Sequence, residues 1–146
     1  MQIRKPSEND FITITRLTDL FKLDNRRLSR QQFLVAADRN EILGFGRITE
    51  YKAYSELCSL AVIESQRNKS IGTQLVHELI KKASGPLYLV CIIPEFFKAL
   101  GFTVVHQYPP ELKDKLGYCQ SSLSVDKPYV VMEFVADNKK PGGGIF

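Results

Sequence analysis

The chain has 146 residues and an ordinary globular composition, 44% hydrophobic and 25% charged, so we expect one domain with its own hydrophobic core. A formal net charge of +4 favours anionic ligands but is too small to indicate nucleic-acid binding by itself. Three widely spaced cysteines argue against a disulfide framework or a metal site, and the chain shows no signal peptide and no apolar run that could span a bilayer. We therefore expect a cytoplasmic protein with no membrane partner and no metal.

The first half of the chain predicts a strand, one or two helices and then three strands. Residues 2–5 form the first strand, and Ser7 caps a helix through an S-x-x-D box that ends at Asp10. Asp24 is predicted to cap a second, short helix. Alternating or continuous apolar residues then predict three strands, at 33–37, 42–51 and 56–63.

The second half predicts an amphipathic helix at 71–83, a buried strand at 87–93, and a short helix that Pro94 opens and Gly101 closes. Two more strands follow, at 102–108 and 128–134. The strand–helix–strand unit at 56–91 requires two parallel strands. We expect one α/β domain over residues 1–135, with a mixed, mostly antiparallel sheet and helices on both faces, and a disordered tail at 136–146.

The turn between the strand at 56–63 and the helix at 71–83 is rich in amide and cationic donors. A turn from a buried strand into a helix exposes unpaired N–H groups at the positive end of the helix dipole, which suits phosphate. The alternative is an ordinary strand-to-helix turn that is polar. The patterns G-x-x-x-x-G-K-[ST] and G-x-G-x-x-G are both absent, which disfavours nucleoside triphosphates and dinucleotides as the ligand.

The segment "LAVIESQRNKSIGTQLV" resembles the pyrophosphate-binding motif of the GNAT superfamily of N-acetyltransferases, usually written [QR]-x-x-G-x-[GA]. "FFKALGF", at 96–102, resembles the family's second signature, often F-Y-x-x-x-G-F. The order of predicted elements also matches the family over about residues 2–135. The resemblance implies a GNAT-like fold and an acetyl-CoA site.

In such a site the turn amides hold the CoA pyrophosphate, and the backbone of the preceding strand lines the pantetheine and acetyl groups. The cofactor-binding residues that the resemblance implies are Leu60, Ala61, Val62, Arg67, Asn68, Lys69, Ser70, Ile71, Gly72, Thr73 and Phe97. Two of them depart from the family. Ser70 stands at a usual glycine and fits only if it can avoid a positive φ, and Phe97 stands where many relatives carry a tyrosine thought to protonate the leaving thiolate.

Glu56 is the candidate catalytic residue, because acetyl transfer needs a neutral amine and a carboxylate can take its proton directly or through water. By alternation Glu56 shares a strand face with Cys58, Leu60 and Val62. The alternative is a solvent-exposed charge at a strand end. Backbone N–H groups near Ala61 and Val62 would stabilise the carbonyl oxygen.

Other polar residues have a plain structural explanation beside the functional one. Tyr108 and Tyr118 can replace the missing acid or be half-buried aromatics, Cys91 can be a nucleophile or core filling, and His77 and His106 have no visible partner. The cluster Arg26, Arg27 and Arg30 can bind an acidic substrate or nucleic acid, or form a solvated face of a helix.

Together these features predict an N-acetyltransferase that moves acetyl from acetyl-CoA to a primary amine of a small molecule by direct attack in a ternary complex. "GFTVVHQYPPELKDKLGYCQ" also resembles the acetyltransferase domain of bacterial N-acetylglutamate synthases, which implies an amino-acid acceptor. The alternative function is a non-catalytic acyl-CoA sensor or a basic nucleic-acid-contacting module. A homodimer is left open.

Overall fold

A seven-stranded mixed sheet organises residues 1–122 and 127–135, the part of the chain that the computed structural model describes. The strands are β1 (Gln2–Arg4), β2 (Phe33–Asp38), β3 (Glu41–Glu50), β4 (Ser55–Val62), β5 (Leu87–Cys91), β6 (Phe102–Val104) and β7 (Val130–Phe134). The helices are α1 (Glu8–Leu20), α2 (Ile71–Lys82), α3 (Pro94–Lys98) and α4 (Glu111–Ser122). The spatial order of the strands is β1-β2-β3-β4-β5-β7-β6.

Strands β4 and β5 form the parallel pair that the sequence predicts, and the other neighbours in the described sheet are antiparallel. Only two residue pairs form the parallel register, Ser55 with Leu87 and Glu56 with Tyr88, although both strands continue beyond it. Strand β5 stays paired with β7 along Tyr88–Cys91. The sheet is therefore continuous at one end of β4 and open between β4 and β5 at the other.

Helices cover both faces of the sheet, as predicted. On one face, α1 buries Ile14 and Leu17 against the aromatic side chains of Phe33 and Phe45. The Ser7 capping box that starts this helix is present, with Ser7 Oγ accepting from the Asp10 N–H and Asp10 accepting from the Ser7 N–H. The amphipathic helix α2 covers the other face. No helix in the described residues is long and apolar enough to cross a membrane.

Strand β4 contains a bulge that the alternation pattern does not reveal. In its register with β3, Cys58 pairs with Arg47 and Ala61 pairs with Phe45. Two residues of β4, Ser59 and Leu60, therefore lie opposite the single residue of β3 between Phe45 and Arg47. Ser59 has a φ of 54°, a left-handed conformation that is unusual outside glycine. A bulge shifts the alternation by one residue beyond this point.

The prediction that one strand face is shared by Glu56, Cys58, Leu60 and Val62 is therefore wrong. Leu60 and Val62 pack with the hydrophobic side chains under α2, whereas Ala61 packs with the cluster under α1. Only Glu56 and Cys58 share a face as predicted.

Three other differences concern the elements themselves. Asp24 does not cap a helix; its carboxylate accepts from the Arg26 N–H in a turn, and the next helical segment is a short 3₁₀ turn at Arg30–Gln32. The predicted strand at 102–108 ends at Val104, and the residues after it include α4, which the prediction left without an element. The predicted disordered tail at 136–146 lies outside the described residues.

Candidate active site

The donor-rich turn enters α2 through two residues in the left-handed conformation. Asn68 has a φ of 67° and Ser70, the residue that precedes the first turn of α2, has a φ of 66°. The condition set for Ser70, that it avoids a positive φ, is therefore not met, and the serine adopts the left-handed conformation itself. The left-handed conformation costs an L-residue about 1–2 kcal/mol relative to the right-handed one, so this turn carries local backbone strain. Ser70 Oγ makes no capping hydrogen bond to α2.

An open groove of about 830 Å³ runs along this turn and reaches the end of β4. Eight of the predicted cofactor-binding residues line it: Leu60, Val62, Arg67, Asn68, Ser70, Ile71, Gly72 and Thr73. Lys69 does not; its ammonium donates to the Gln66 side chain. Ala61 faces the α1 side of the sheet because of the bulge. Phe97 is buried and lines the neighbouring cavity instead.

Gly72 leaves room in the floor of this groove. A Cβ built on Gly72 would lie 3.4 Å from Phe96 Cζ and 3.6 Å from Val62 Cγ2, which are ordinary contact distances. The backbone of the first turn of α2 is thus accessible to a ligand in the groove. Because the first N–H groups of a helix have no partner within the helix, the groove is suited to a phosphate group.

The groove adjoins a second cavity of about 250 Å³ where β4 and β5 separate. Leu60, Ile92 and Ile93 line both spaces. The walls of the inner cavity are formed by residues 57–60 of β4, by residues 89–93 of β5 and the segment after it, and by residues 21–24 of the loop after α1. Single residues from other elements complete it: Phe97, Lys115, Cys119 and Tyr129. An extended ligand bound by the α2 turn can thus reach the interior of the sheet through the gap between two parallel strands.

Glu56 lies directly behind this cavity and is 2% exposed, so the alternative of a solvent-exposed strand end is wrong. Its Oε2 atom is 2.7 Å from the ammonium of Lys115, in an ion pair whose angles are not those of a hydrogen bond. Tyr51 donates a long hydrogen bond of 3.4 Å to Oε1. Among the described side chains, Oε2 is the one buried nitrogen or oxygen atom without a hydrogen-bond partner.

Asp24 forms the other half of this charged cluster and has many more partners. It accepts from the backbone N–H and from the guanidinium of Arg26, and from Lys115 Nζ at 2.7 Å. Arg47 Nη2 lies 3.7 Å from its Oδ1 atom. Burial alone would raise the pKa of Asp24, but the hydrogen bonds and charges of Arg26 and Lys115 hold it well below its ordinary value.

Arg47 ties the loop at 24–27 to the bulge in β4. Its buried guanidinium donates to the carbonyl oxygens of Asp24 and Arg26 and to the side chains of Ser59 and Gln32. Ser59 Oγ in turn donates to the Asp24 carbonyl at 2.7 Å. The loop, the bulge and the charged cluster therefore form one hydrogen-bonded unit.

The remaining candidates of the sequence lie in different places. Cys91 lines the inner cavity, together with Cys58 and Cys119, whereas His77 and His106 are exposed. Tyr108 is outside that cavity, and the Tyr118 ring stacks under the Arg26 guanidinium at 3.8 Å.

The arginine cluster does not form a helical face. Arg26 is paired with Asp24, Arg30 donates to the Pro6 carbonyl, and Arg27 has a φ of 53° and donates a long hydrogen bond to Tyr51. These three side chains are thus engaged by separate parts of the chain. Their arrangement gives no support to a nucleic-acid-binding face.

Sequence reasoning missed Lys115 and Arg47. Lys115 is on α4, where the buried residues Leu112, Lys115 and Cys119 recur at intervals of three and four after a Pro-Pro pair, a pattern that predicts a helix. Arg47 carries no such signal, since a charged residue in an apolar strand is also typical of an exposed edge.

The model of the family described as "Acetyltransferase (GNAT) domain" matches residues 29–104. This segment includes β2 to β6, the α2 turn and most of the inner cavity. No curated protein matches the chain in a search by sequence.

Solved structures with the same fold include several acetyltransferases. The structure of Rv2747 from Mycobacterium tuberculosis, in complex with CoA, has a TM-score of 0.74 at 19% identity, covering 92% of this chain and 99% of that one. N-acetylglutamate synthase from Neisseria gonorrhoeae, complexed with coenzyme A and N-acetyl-glutamate, has a TM-score of 0.70 at 17% identity, covering 92% and 35%. Escherichia coli ElaA has a TM-score of 0.67 at 16% identity, covering 92% and 97%. At these identities the likeness establishes the fold, and the chain spans about a third of the synthase.

Proposed function

The chain belongs to the GNAT family of acetyltransferases, and from this membership we propose that it transfers the acetyl group of acetyl-CoA to a primary amine of a small molecule. The observation that carries the proposal is that two spaces share a wall. The groove at the start of α2 suits a pyrophosphate, and Leu60, Ile92 and Ile93 line both this groove and the cavity beside a buried carboxylate pair.

Acetyl-CoA fits this pair of spaces. The turn residues from Arg67 to Thr73 would hold the pyrophosphate through backbone N–H groups, and the gap between β4 and β5 would admit the pantetheine arm. Fold neighbours that were solved with CoA support the assignment of acetyl-CoA as the cosubstrate.

We assign direct attack of the amine in a ternary complex, because the thiols in the cavity are poor nucleophiles. Burial raises the pKa of Cys91 and of Cys119 to about 11 and also raises the pKa of Cys58. At neutral pH all three are thiols, and it is the thiolate that attacks acyl groups. An acyl-enzyme on one of these residues is therefore disfavoured.

Glu56 is assigned as the general base. Its Oε2 atom has no hydrogen-bond partner beside the ion pair with Lys115, and it can accept the proton of the acceptor ammonium through a bridging water, since Glu56 does not line the cavity but contacts Lys115, which does. The bulge at Ser59 takes β4 out of its regular ladder beside the cavity, and backbone N–H groups that follow it, near Ala61 and Val62, would stabilise the carbonyl oxygen. Phe97 cannot donate a proton. The thiol of CoA is a tolerable leaving group as its thiolate, however, because an ordinary thiol has a pKa of about 8.5.

The acceptor should be small. The inner cavity of about 250 Å³ lies below the range of about 300–1,000 Å³ that is usual for drug-sized ligands. Amino acids are the first class to test, because one fold neighbour is an N-acetylglutamate synthase complexed with coenzyme A and N-acetyl-glutamate.

The test is an acetylation assay on a panel of amines, with release of the free CoA thiol as the readout. The panel should contain amino acids, matched amines without the carboxylate, and short peptides. We expect thiol release with small primary amines and none with N-methylated tertiary analogues, which have no hydrogen to lose. A protein that binds CoA in calorimetry but consumes no amine of the panel would contradict the small-molecule assignment.

A further inference from the structure

Lys115 is a buried cation that bridges two carboxylates from distant parts of the chain. Its ammonium lies 2.7 Å from Asp24 Oδ2 and 2.7 Å from Glu56 Oε2, and the residue is 5% exposed. It lines the inner cavity, whereas Glu56 does not. Helix α4 thus contributes a charged group to a site whose walls come mainly from β4, residues 89–93 and the loop after α1.

Lys115 is unsuited to the role of a base. Burial alone would lower the pKa of a lysine, as in lysines that act as bases, but here the neighbouring Cys58, Glu56 and Asp24 raise the pKa of Lys115 well above its ordinary value. The side chain therefore stays an ammonium throughout the neutral range. Its effect on the reaction must come from its charge and its position.

The two carboxylates depend on this ammonium to different degrees. Asp24 also has the Arg26 guanidinium and backbone N–H, and Arg47 lies nearby. Among the described residues, Glu56 has Lys115 as its only ion-pair partner, besides the long hydrogen bond from Tyr51. Removal of the lysine would leave Asp24 compensated and Glu56 uncompensated.

We propose that Lys115 is a positioning residue for acetyl transfer, whose ammonium keeps the buried Glu56 carboxylate ionised and held against the wall of the cavity. The proposal rests on the proposed function only in the assignment of Glu56 as the base. It goes further by making α4 a required part of the site. It also explains how a carboxylate that is 2% exposed can stay available to accept a proton.

Among the described side chains, no cation other than Lys115 forms an ion pair with the Glu56 carboxylate. The tyrosines and thiols are neutral at neutral pH, since burial raises the pKa of each, and Arg26 is already paired with Asp24. Within the part of the chain that the structure describes, the titratable or charged groups around the carboxylate include Tyr51, Tyr54, Cys58, Asp24, Arg26, Arg47, Lys115 and Cys119.

The first experiment needs no acceptor. Infrared spectra of the full chain would be compared for the wild type, Lys115→Met and Lys115→Met with Glu56→Gln. We expect a protonated carboxylic acid band at neutral pH in Lys115→Met, lost in the double variant and absent from the wild type, because an uncompensated buried carboxylate takes up a proton. Lys115→Arg keeps a cation and should show no such band.

A spectrum of Lys115→Met without that band would overturn the proposal, and so would a band assigned to Glu56 in the wild type at neutral pH. The wild-type result comes from its difference spectrum against Glu56→Gln, so it decides the proposal even if Lys115→Met fails to fold. This measurement is independent of whether Glu56 is the base.

The second experiment uses an amine that the panel shows to be an acceptor. In Lys115→Met the acidic limb of the kcat profile should move to higher pH by about one to three units, while CoA still binds in calorimetry. If the role of Lys115 were purely structural, its replacement would instead weaken CoA binding and lower kcat together, and the acidic limb of the pH profile would not move. If Glu56→Gln is fully active but the infrared band appears as expected, the assignment of the base fails and the ionisation role of Lys115 stands.

Discussion

Replacing Glu56 with glutamine tests the chemistry most directly, because glutamine keeps the size and hydrogen bonding of the side chain but removes the basic oxygen. Glu56 is 2% exposed and lines neither the groove nor the inner cavity, so the Kd for CoA should not change. General acid–base catalysis contributes about 10²–10⁴-fold. Since Glu56 would act through a water from behind the cavity wall, we expect the lower end, a loss of about 100-fold in kcat, or about 2.7 kcal/mol.

The assay follows release of the CoA thiol at saturating acetyl-CoA and acceptor over a range of pH. The loss should shrink as pH rises, because more of the acceptor amine is already neutral and needs no base. The matched control is Glu78→Gln, which removes a carboxylate from a partly exposed ion pair with Lys81 on α2 and should keep wild-type activity. A Glu56→Gln enzyme with wild-type kcat at neutral pH would refute the assignment.

Three further predictions concern the groove, the packing and the charged loop. Gly72→Trp should abolish CoA binding in calorimetry, because the indole fills the groove. Gly72→Ala should retain CoA binding, since its methyl group would lie 3.4 Å from Phe96, an ordinary contact distance. CoA binding by the Trp variant would mean that the pyrophosphate binds elsewhere. Gly44→Ala should cost about 1–3 kcal/mol in urea unfolding, since its Cβ would lie 2.9 Å from the backbone oxygen of Ala61, and an unchanged midpoint would contradict this close approach. Burial alone would raise the pKa of Asp24, but its cationic neighbours lower it by more. The ionised Asp24 therefore stabilises the fold above about pH 4, and this contribution is lost as the pH falls below that value. Asp24→Asn should show a smaller loss of stability in acid titrations, and an acid limb identical to that of the wild type would contradict the pairing.

The sequence by itself determined the order of the seven strands and of helices α1, α2 and α3, and the position of the groove. Strand β4, the turn and α2 are contiguous in the chain, and their signals are local: an apolar run, a donor-rich turn and a stripe of apolar residues at helical spacing. The strand–helix–strand unit also required the parallel pairing of β4 with β5, because crossover connections through a helix join parallel strands. Eight of the residues predicted to bind CoA accordingly line one groove.

Local backbone geometry was less accessible to prediction. The bulge at Ser59 reverses the faces of Leu60 and Val62, since one added residue shifts a pattern whose period is two. Ser70 takes a positive φ although it is not glycine. In both places the surrounding structure overrides the preference of the individual residue.

Only the tertiary structure decided the composition of the charged cluster. Asp24, Glu56 and Lys115 belong to a loop, a strand and a helix, and Lys115 is 91 residues from Asp24 along the chain. No periodicity links such residues, because each would be unremarkable as an exposed charge in its own segment. Burial makes the difference: removed from water, the two carboxylates need a cation between them, and the fold brings α4 to the one place where Lys115 can supply it.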